Sequence, residues 1–167
     1  VDFAPWLEAA GLLYDGPWLA ERYLVIEDLL AREPDAIHPV TRAIIERGAT
    51  ISATDMFRAD YRLRALKRQT DAVWERVDVM LVPTAGTHYR IDEVEAQPVE
   101  SNTNLGYYTN FMNLLDLSAC SLPAEMTEAG RPFGVTLFAP AFSDLALLDL
   151  AARWRGSKLA LPETDRL

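Results

Sequence analysis

No two serines are adjacent anywhere in these 167 residues, and the chain holds one cysteine and two histidines. Ser52, Ser101, Ser118, Ser121, Ser143 and Ser157 stand singly, and none lies in a glycine-rich turn that would expose a strained nucleophile. Cys120 has no partner for an internal disulfide, so nothing points to an oxidising compartment and a cytoplasmic setting is expected. As a nucleophile it would need a base and an electropositive setting, and in the apolar context SACSLP a buried small side chain is the simpler reading. His38 and His88 are far apart, and neither has a second His or Cys at ligand spacing, so no metal site is expected. His38 precedes Pro39 at a helix start, and His88 falls in a loop that could approach a substrate.

Positive charge is also scarce. Sixteen Lys and Arg against 25 Asp and Glu leave a net charge of -9, which argues against a nucleic-acid partner, since such proteins neutralise phosphates with clustered cations. The densest basic group, Arg58, Arg62, Arg64, Lys67 and Arg68, has helical spacing and acids beside it, and reads as a solvated face. Apolar runs such as VMLV and LALL fall far short of the roughly 20 residues that span a bilayer, so no membrane partner is expected. No basic stretch followed by an apolar one opens the chain. It starts instead at Val1 with VDFAPWLEAAGLLY, which looks like an excised segment, although a removed tag or renumbering would produce the same start.

What is present suits a packed domain: half of the residues are hydrophobic, enough for one real core. The Asp15-Gly16-Pro17 turn opens a helix with Leu19, Tyr23, Ile26 and Leu30 as its apolar stripe. A second helix starts near Pro39, buries Val40, Ile44 and Ile45, and stops at Gly48. A third, long one begins at Ser52, where Ser52-x-x-Asp55 resembles a capping box, and buries Leu63, Leu66, Val73 and Val77. The run Val79 to Val82, bounded by Asp78 and Pro83, reads as a central strand covered on both faces. Thr84 to about Asn104 lacks periodicity and reads as a long functional loop or a weak strand pair. Tyr107 to Leu117 reads as helical, Cys120 to Leu122 and Val135 to Phe138 as short strands, and Phe142 to Trp154 as a strongly apolar helix. Helices alternating with apolar strands argue for an α/β sandwich with a buried mixed sheet. Pro162 and the polar tail ETDRL suggest a linker after about residue 156.

Four phrases in fixed order carry a resemblance: LLYDGPWLAERY (12–23), DVMLVPT (78–84), TNFMNLLDLSACSLPAE (109–125) and PFGVTLFAPAFSDLALLDLA (132–151). Together they resemble the second half of an amidase-signature enzyme, and the first and third are most similar to the allophanate hydrolases of that family. The resemblance implies part of an α/β/α sandwich, with 1–156 as the C-terminal half of an amidase-signature domain and 157–167 as a tail or the start of a linker. It also implies a Ser-cisSer-Lys triad contributed by an earlier part of a chain, because no Gly-Gly-Ser-Ser-Gly stretch stands here, so the isolated chain is expected to be inactive. No organic cofactor or metal is implied. Half a sandwich would expose apolar surface, through which a homo-oligomer could form. Glu125 stands where a Gly is common in the family pattern, which puts the turn after Leu122 in doubt.

Tyr14 and Arg22 are the substrate-binding candidates, since they stand in the phrase most similar to allophanate hydrolases. A planar guanidinium can hold a carboxylate through two parallel hydrogen bonds, allophanate carries such a group, and Tyr14 could add a phenolic donor. The plainer alternative pairs Arg22 with Glu21 or another acid and packs Tyr14 in the core. Asn110 and Asn113 read as buried amides that brace the surrounding loops, and Tyr107 and Tyr108 as neighbours of which one points inward. Two further readings remain open: a general amidase or amidotransferase subunit, which would lack the Tyr and Arg phrase, and a non-catalytic module that uses the half-fold as a binding surface.

Overall fold

The computed structural model describes residues 1–154 and 156, apart from the side chain of Asp15; the expected tail at 157–167 lies outside the described residues. Among the described residues, seven α-helices and three strands follow in the order α1 (Ala4–Asp15), α2 (Trp18–Arg32), α3 (Pro39–Glu46), α4 (Ala53–Asp71), β1 (Met80–Pro83), α5 (Ile91–Ala96), α6 (Pro98–Leu105), β2 (Leu117–Met126), β3 (Pro132–Pro140) and α7 (Asp144–Trp154). Helix starts follow local chemistry. Pro39 opens α3, and Ser52 caps α4 through a box in which its Oγ accepts from the Asp55 N–H while the Asp55 carboxylate accepts from the Ser52 N–H. The Ser52 hydroxyl, which donates to the Asp55 carboxylate at 2.6 Å, and then the Ser52 N–H, with Arg58 nearby, hold the Asp55 carboxyl below its usual range. The basic face of α4 is neutralised by Asp55, Glu8, Asp60 and Asp71, which pair with Arg58, Arg62, Arg64 and Lys67.

The sheet runs β1-β3-β2 and every described pair is antiparallel, with Leu81 opposite Leu137 and Cys120 opposite Leu137 from the other side. Strand alternation gives it two apolar faces. On one, Val82 and Phe138 meet Trp6 and Ala9 of α1, Leu66 of α4, and Phe111 and Leu115. On the other, Leu122, Val135, Leu137 and Ala139 meet Leu147 and Ala151 of α7. Helices therefore cover both faces, the layered α/β arrangement expected. The first core is aromatic: Trp6 meets Phe111, Phe138 and Trp74 edge-on, with centroids 5.2, 5.6 and 5.8 Å apart. A two-pronged ion pair between Arg62 and Glu8 ties α4 to α1, and its hydrogen bonds hold the Glu8 carboxyl below the ordinary range.

Several local expectations differ from the structure. The Met80–Pro83 strand lies at the edge of the described sheet with Leu81 about half exposed (48%), and β3 takes the centre. The stretch after Thr84 is irregular to Arg90, as a loop would be, but then turns helical, with α5 and α6 placed one after the other. Residues 106–116 form consecutive turns rather than a helix, their N–H groups donating three, four and five residues back. Asp116 ends them at φ 53°. The chain does not turn after Leu122: β2 continues to Met126 with an irregular register between Pro123 and Met126, and the hairpin closes at Gly130, whose φ of 71° suits glycine. Val40, Ile44 and Ile45 are only half-buried. Apolar side chains stand in solvent on and beside α7, among them Leu145, Leu148, Trp154 and Phe142, the last 97% exposed.

Candidate functional site

Helix α1 has two apolar faces with different destinations. Trp6, Ala9 and Leu13 point into the core, while Leu7, Ala10, Gly11 and Tyr14, spaced three and four apart, form one wall of a cavity of about 530 Å3. A Cβ on Gly11 would meet nothing within 4 Å. The second wall is Val40, Thr41 and Ile44 of α3 with Arg47 from the 3-10 turn Arg47–Thr50 that follows. The third is Pro98, Val99, Asn102 and Thr103 of α6, continued by Tyr107 and Asn110 from the turns after it.

Tyr14 and Arg22 come together. The Tyr14 hydroxyl donates to Asn110 Oδ1 at 3.2 Å, and the Arg22 guanidinium carbon sits 5.4 Å from the centre of the Tyr14 ring, within cation–π range. Tyr14 is 42% exposed, so it does not pack in the core. Arg22 is half-buried, makes no ion pair among the described side chains, and is not one of the cavity-lining residues. Asn110 owes its position to Gly106: its N–H donates to the Gly106 carbonyl at 2.8 Å, and a Cβ there would come within 2.0 Å of its Oδ1.

The other sequence candidates separate. Asn113 is exposed and does not line the cavity. Of the adjacent tyrosines, Tyr107 lines the cavity and Tyr108 turns inward against Phe3, their centroids 6.3 Å apart. His38 stands exposed at the start of α3, and His88 lies on the surface, its carbonyl accepting from Arg131. Cys120 is half-buried beside the α7 core. Reading the sequence missed Arg47, which follows an ordinary helix C-terminus and carries no phrase or periodicity that marks it. The cavity offers hydroxyls, amides and one guanidinium, but among the described residues that line it there is no His, Lys, Asp or Glu to activate a nucleophile. It can bind and orient a small polar molecule. No group of His, Cys, Asp and Glu suited to a metal ion occurs among the described residues, and no described helix is long and apolar enough to cross a membrane.

Residues 8–148 match the model of the family described as Amidase. The chain is 38% identical over 168 residues to the urea amidolyase of Lachancea kluyveri, a match covering 99% of this chain and 9% of that protein. The urea amidolyase of Saccharomyces cerevisiae is 39% identical over 156 residues, covering 92% of this chain and 8% of its own length. Among solved structures, Kluyveromyces lactis allophanate hydrolase superposes with a TM-score of 0.89 at 37% identity, covering 100% of this chain and 27% of that one. An amidase crystal structure at a TM-score of 0.66 and 19% identity shares the fold. The chain thus spans less than a tenth of the curated relatives just named.

Proposed function

Because the chain belongs to the amidase family, we propose that it is the substrate-side portion of an allophanate-hydrolysing amidase domain, with Tyr14 and Arg22 holding the substrate's carboxylate. The observation that carries this reading is the cluster at the cavity rim: Tyr14 anchored by Asn110 and capped by Arg22. A contact to the ring through charge leaves the guanidinium donors for a carboxylate, and the phenol completes a polar end to a mostly apolar pocket. Hydrolysis of the amide would pass through an acyl-enzyme and release ammonia and, in the end, carbon dioxide. Its nucleophile and base fall to a Ser-cisSer-Lys triad outside this chain. Residues 1–156 would form the C-terminal half of the amidase domain, 157–167 a tail or the start of a linker, and the exposed apolar residues on α7 a contact surface for another part of the protein or a second copy. A cytoplasmic location fits the lone cysteine.

The test joins this chain to the preceding part of the Kluyveromyces lactis allophanate hydrolase amidase domain and follows ammonia release from allophanate and from malonamide, which has no carboxylate. Charge-assisted hydrogen bonds contribute about 1.5–3 kcal/mol each, so Arg22→Lys should lower kcat/KM for allophanate about tenfold or more, while malonamide changes far less. Tyr14→Phe should act in the same direction with a smaller loss. The 167-residue chain alone should release no ammonia above a heat-treated control. Turnover by that chain would overturn the assignment of the chemistry to residues outside it, and equal losses on both substrates would make Arg22 a structural residue.

A further inference from the structure

The cavity contains a cation that the family phrases do not mark. Arg47 lines it directly, whereas Arg22 touches Tyr14 from outside the lining set. In a chain with 25 acids and a net charge of -9, the described lining residues include no acid and one cation, Arg47. Nearby Arg42 differs, since Asp35 at 3.0 Å and Glu46 at 4.0 Å neutralise it. The backbone under Arg47 is held in place: its carbonyl accepts from Thr50 Oγ1 at 3.1 Å, and the next residue, Gly48, is buried so tightly against α2 that a Cβ there would lie 2.3 Å from the Leu19 carbonyl oxygen. A cation on the wall of a largely apolar cavity raises the local concentration of anions and rejects cations.

From these observations we infer that Arg47 is a specificity-determining residue, selecting small amides that carry a carboxylate over neutral ones by meeting the anion inside the cavity. This rests on the reading that the cavity receives the substrate. Arg47 on the cavity wall and Arg22 against the Tyr14 ring then both favour an anion, and the cavity holds its ligand by an end that bears negative charge. The guanidinium forms no bond that breaks in the reaction; its contribution is to binding and orientation.

The experiment uses the 167-residue chain and two probes of nearly equal shape, malonamate (the monoamide of malonic acid, an anion) and neutral malonamide, titrated while backbone and side-chain amide NMR signals are followed. Malonamate should move the signals of Gly11, Asn102 and Asn110 and bind more tightly than malonamide. Arg47→Gln, at an exposed position without a described ion pair, should raise the malonamate Kd about tenfold or more and leave that of malonamide within about twofold. Arg47→Lys should recover part of the loss, because a point charge replaces the attraction but not the planar fork. If malonamate moves the cavity signals equally in the wild type and Arg47→Gln, the role of Arg47 is overturned while the cavity reading stands. If neither probe moves them, the cavity does not take the substrate and both readings fall.

Discussion

The two sides of helix α1 face regions built to different standards. Toward the sheet, Trp6 lies among Phe111, Phe138 and Trp74, fully buried with edge-on ring contacts. Toward the cavity, α3 buries no residue at all, and α6 buries only Ser101. Close aromatic packing makes the first region rigid, while short helices with half-buried contacts open at lower free energy. One wall of the candidate site is thus fixed by the core and the other two can yield. That suits a site which must place Tyr14 accurately and still admit a ligand.

The largest effect should come from breaking the rigid side. Trp6→Ala should cost about 3–5 kcal/mol by denaturant unfolding, as expected for a large buried aromatic. Val40→Ala, on a yielding wall, should cost under about 1 kcal/mol, since its side chain is only half withdrawn from water. Similar losses at the two positions would erase the contrast. Gly48→Ala comes next: the new Cβ would strike the Leu19 carbonyl and the Tyr23 Cβ, so the turn must move away from α2. Overpacking of this kind costs about 1–3 kcal/mol, and malonamate binding should weaken in step because Arg47 moves with the turn. A stability loss with unchanged binding would show that Arg47 is positioned by something other than this turn.

The smallest effect should lie at the surface tie between α1 and α4. The Arg62 hydrogen bonds lower the Glu8 pKa on folding, so this carboxylate stabilises the native state fully above its unfolded pKa. That contribution is lost as pH falls through the lowered folded value. Glu8→Gln should therefore melt below the wild type at pH 7, and the two should converge in acid. Both partners are nearly half exposed, so the gap should be small and shrink with added salt. A gap that persists in strong acid would mean that Glu8 acts through packing.

The elements that read correctly from sequence are those whose signals are local. Ser52 and Asp55 form the box their spacing announces, Pro39 starts its helix, and the alternation of apolar segments with helices indicates the layered fold. The errors fall where local signals are silent or ambiguous. PVESNTNL has no apolar stripe because α6 buries almost nothing, so it reads as loop although it forms a helix. The stretch 107–117 has helical spacing, but Phe111, Met112 and Leu115 are drawn into the core by turns of unequal size. A four-residue apolar run such as VMLV does not reveal whether it will lie at the centre or the edge of a sheet. Tyr14 and Arg22 could be singled out from their phrase; their contact with each other, and the bond from Tyr14 to Asn110 96 residues away, could not.

Sequence alone determined the family phrases, the starts of α2, α3 and α4, and the absence of a serine pair able to supply the family's nucleophile, because each is a property of neighbouring residues. Tertiary structure decided which face of α1 became core and which became cavity wall, since both are apolar and only the placement of β3, α3 and α6 tells them apart. It also decided that Arg47, one of 16 basic residues with nothing local to mark it, lines the cavity. The physical reason is that a cavity is made by surfaces distant in sequence, and its charge depends on which side chains those surfaces leave facing one another.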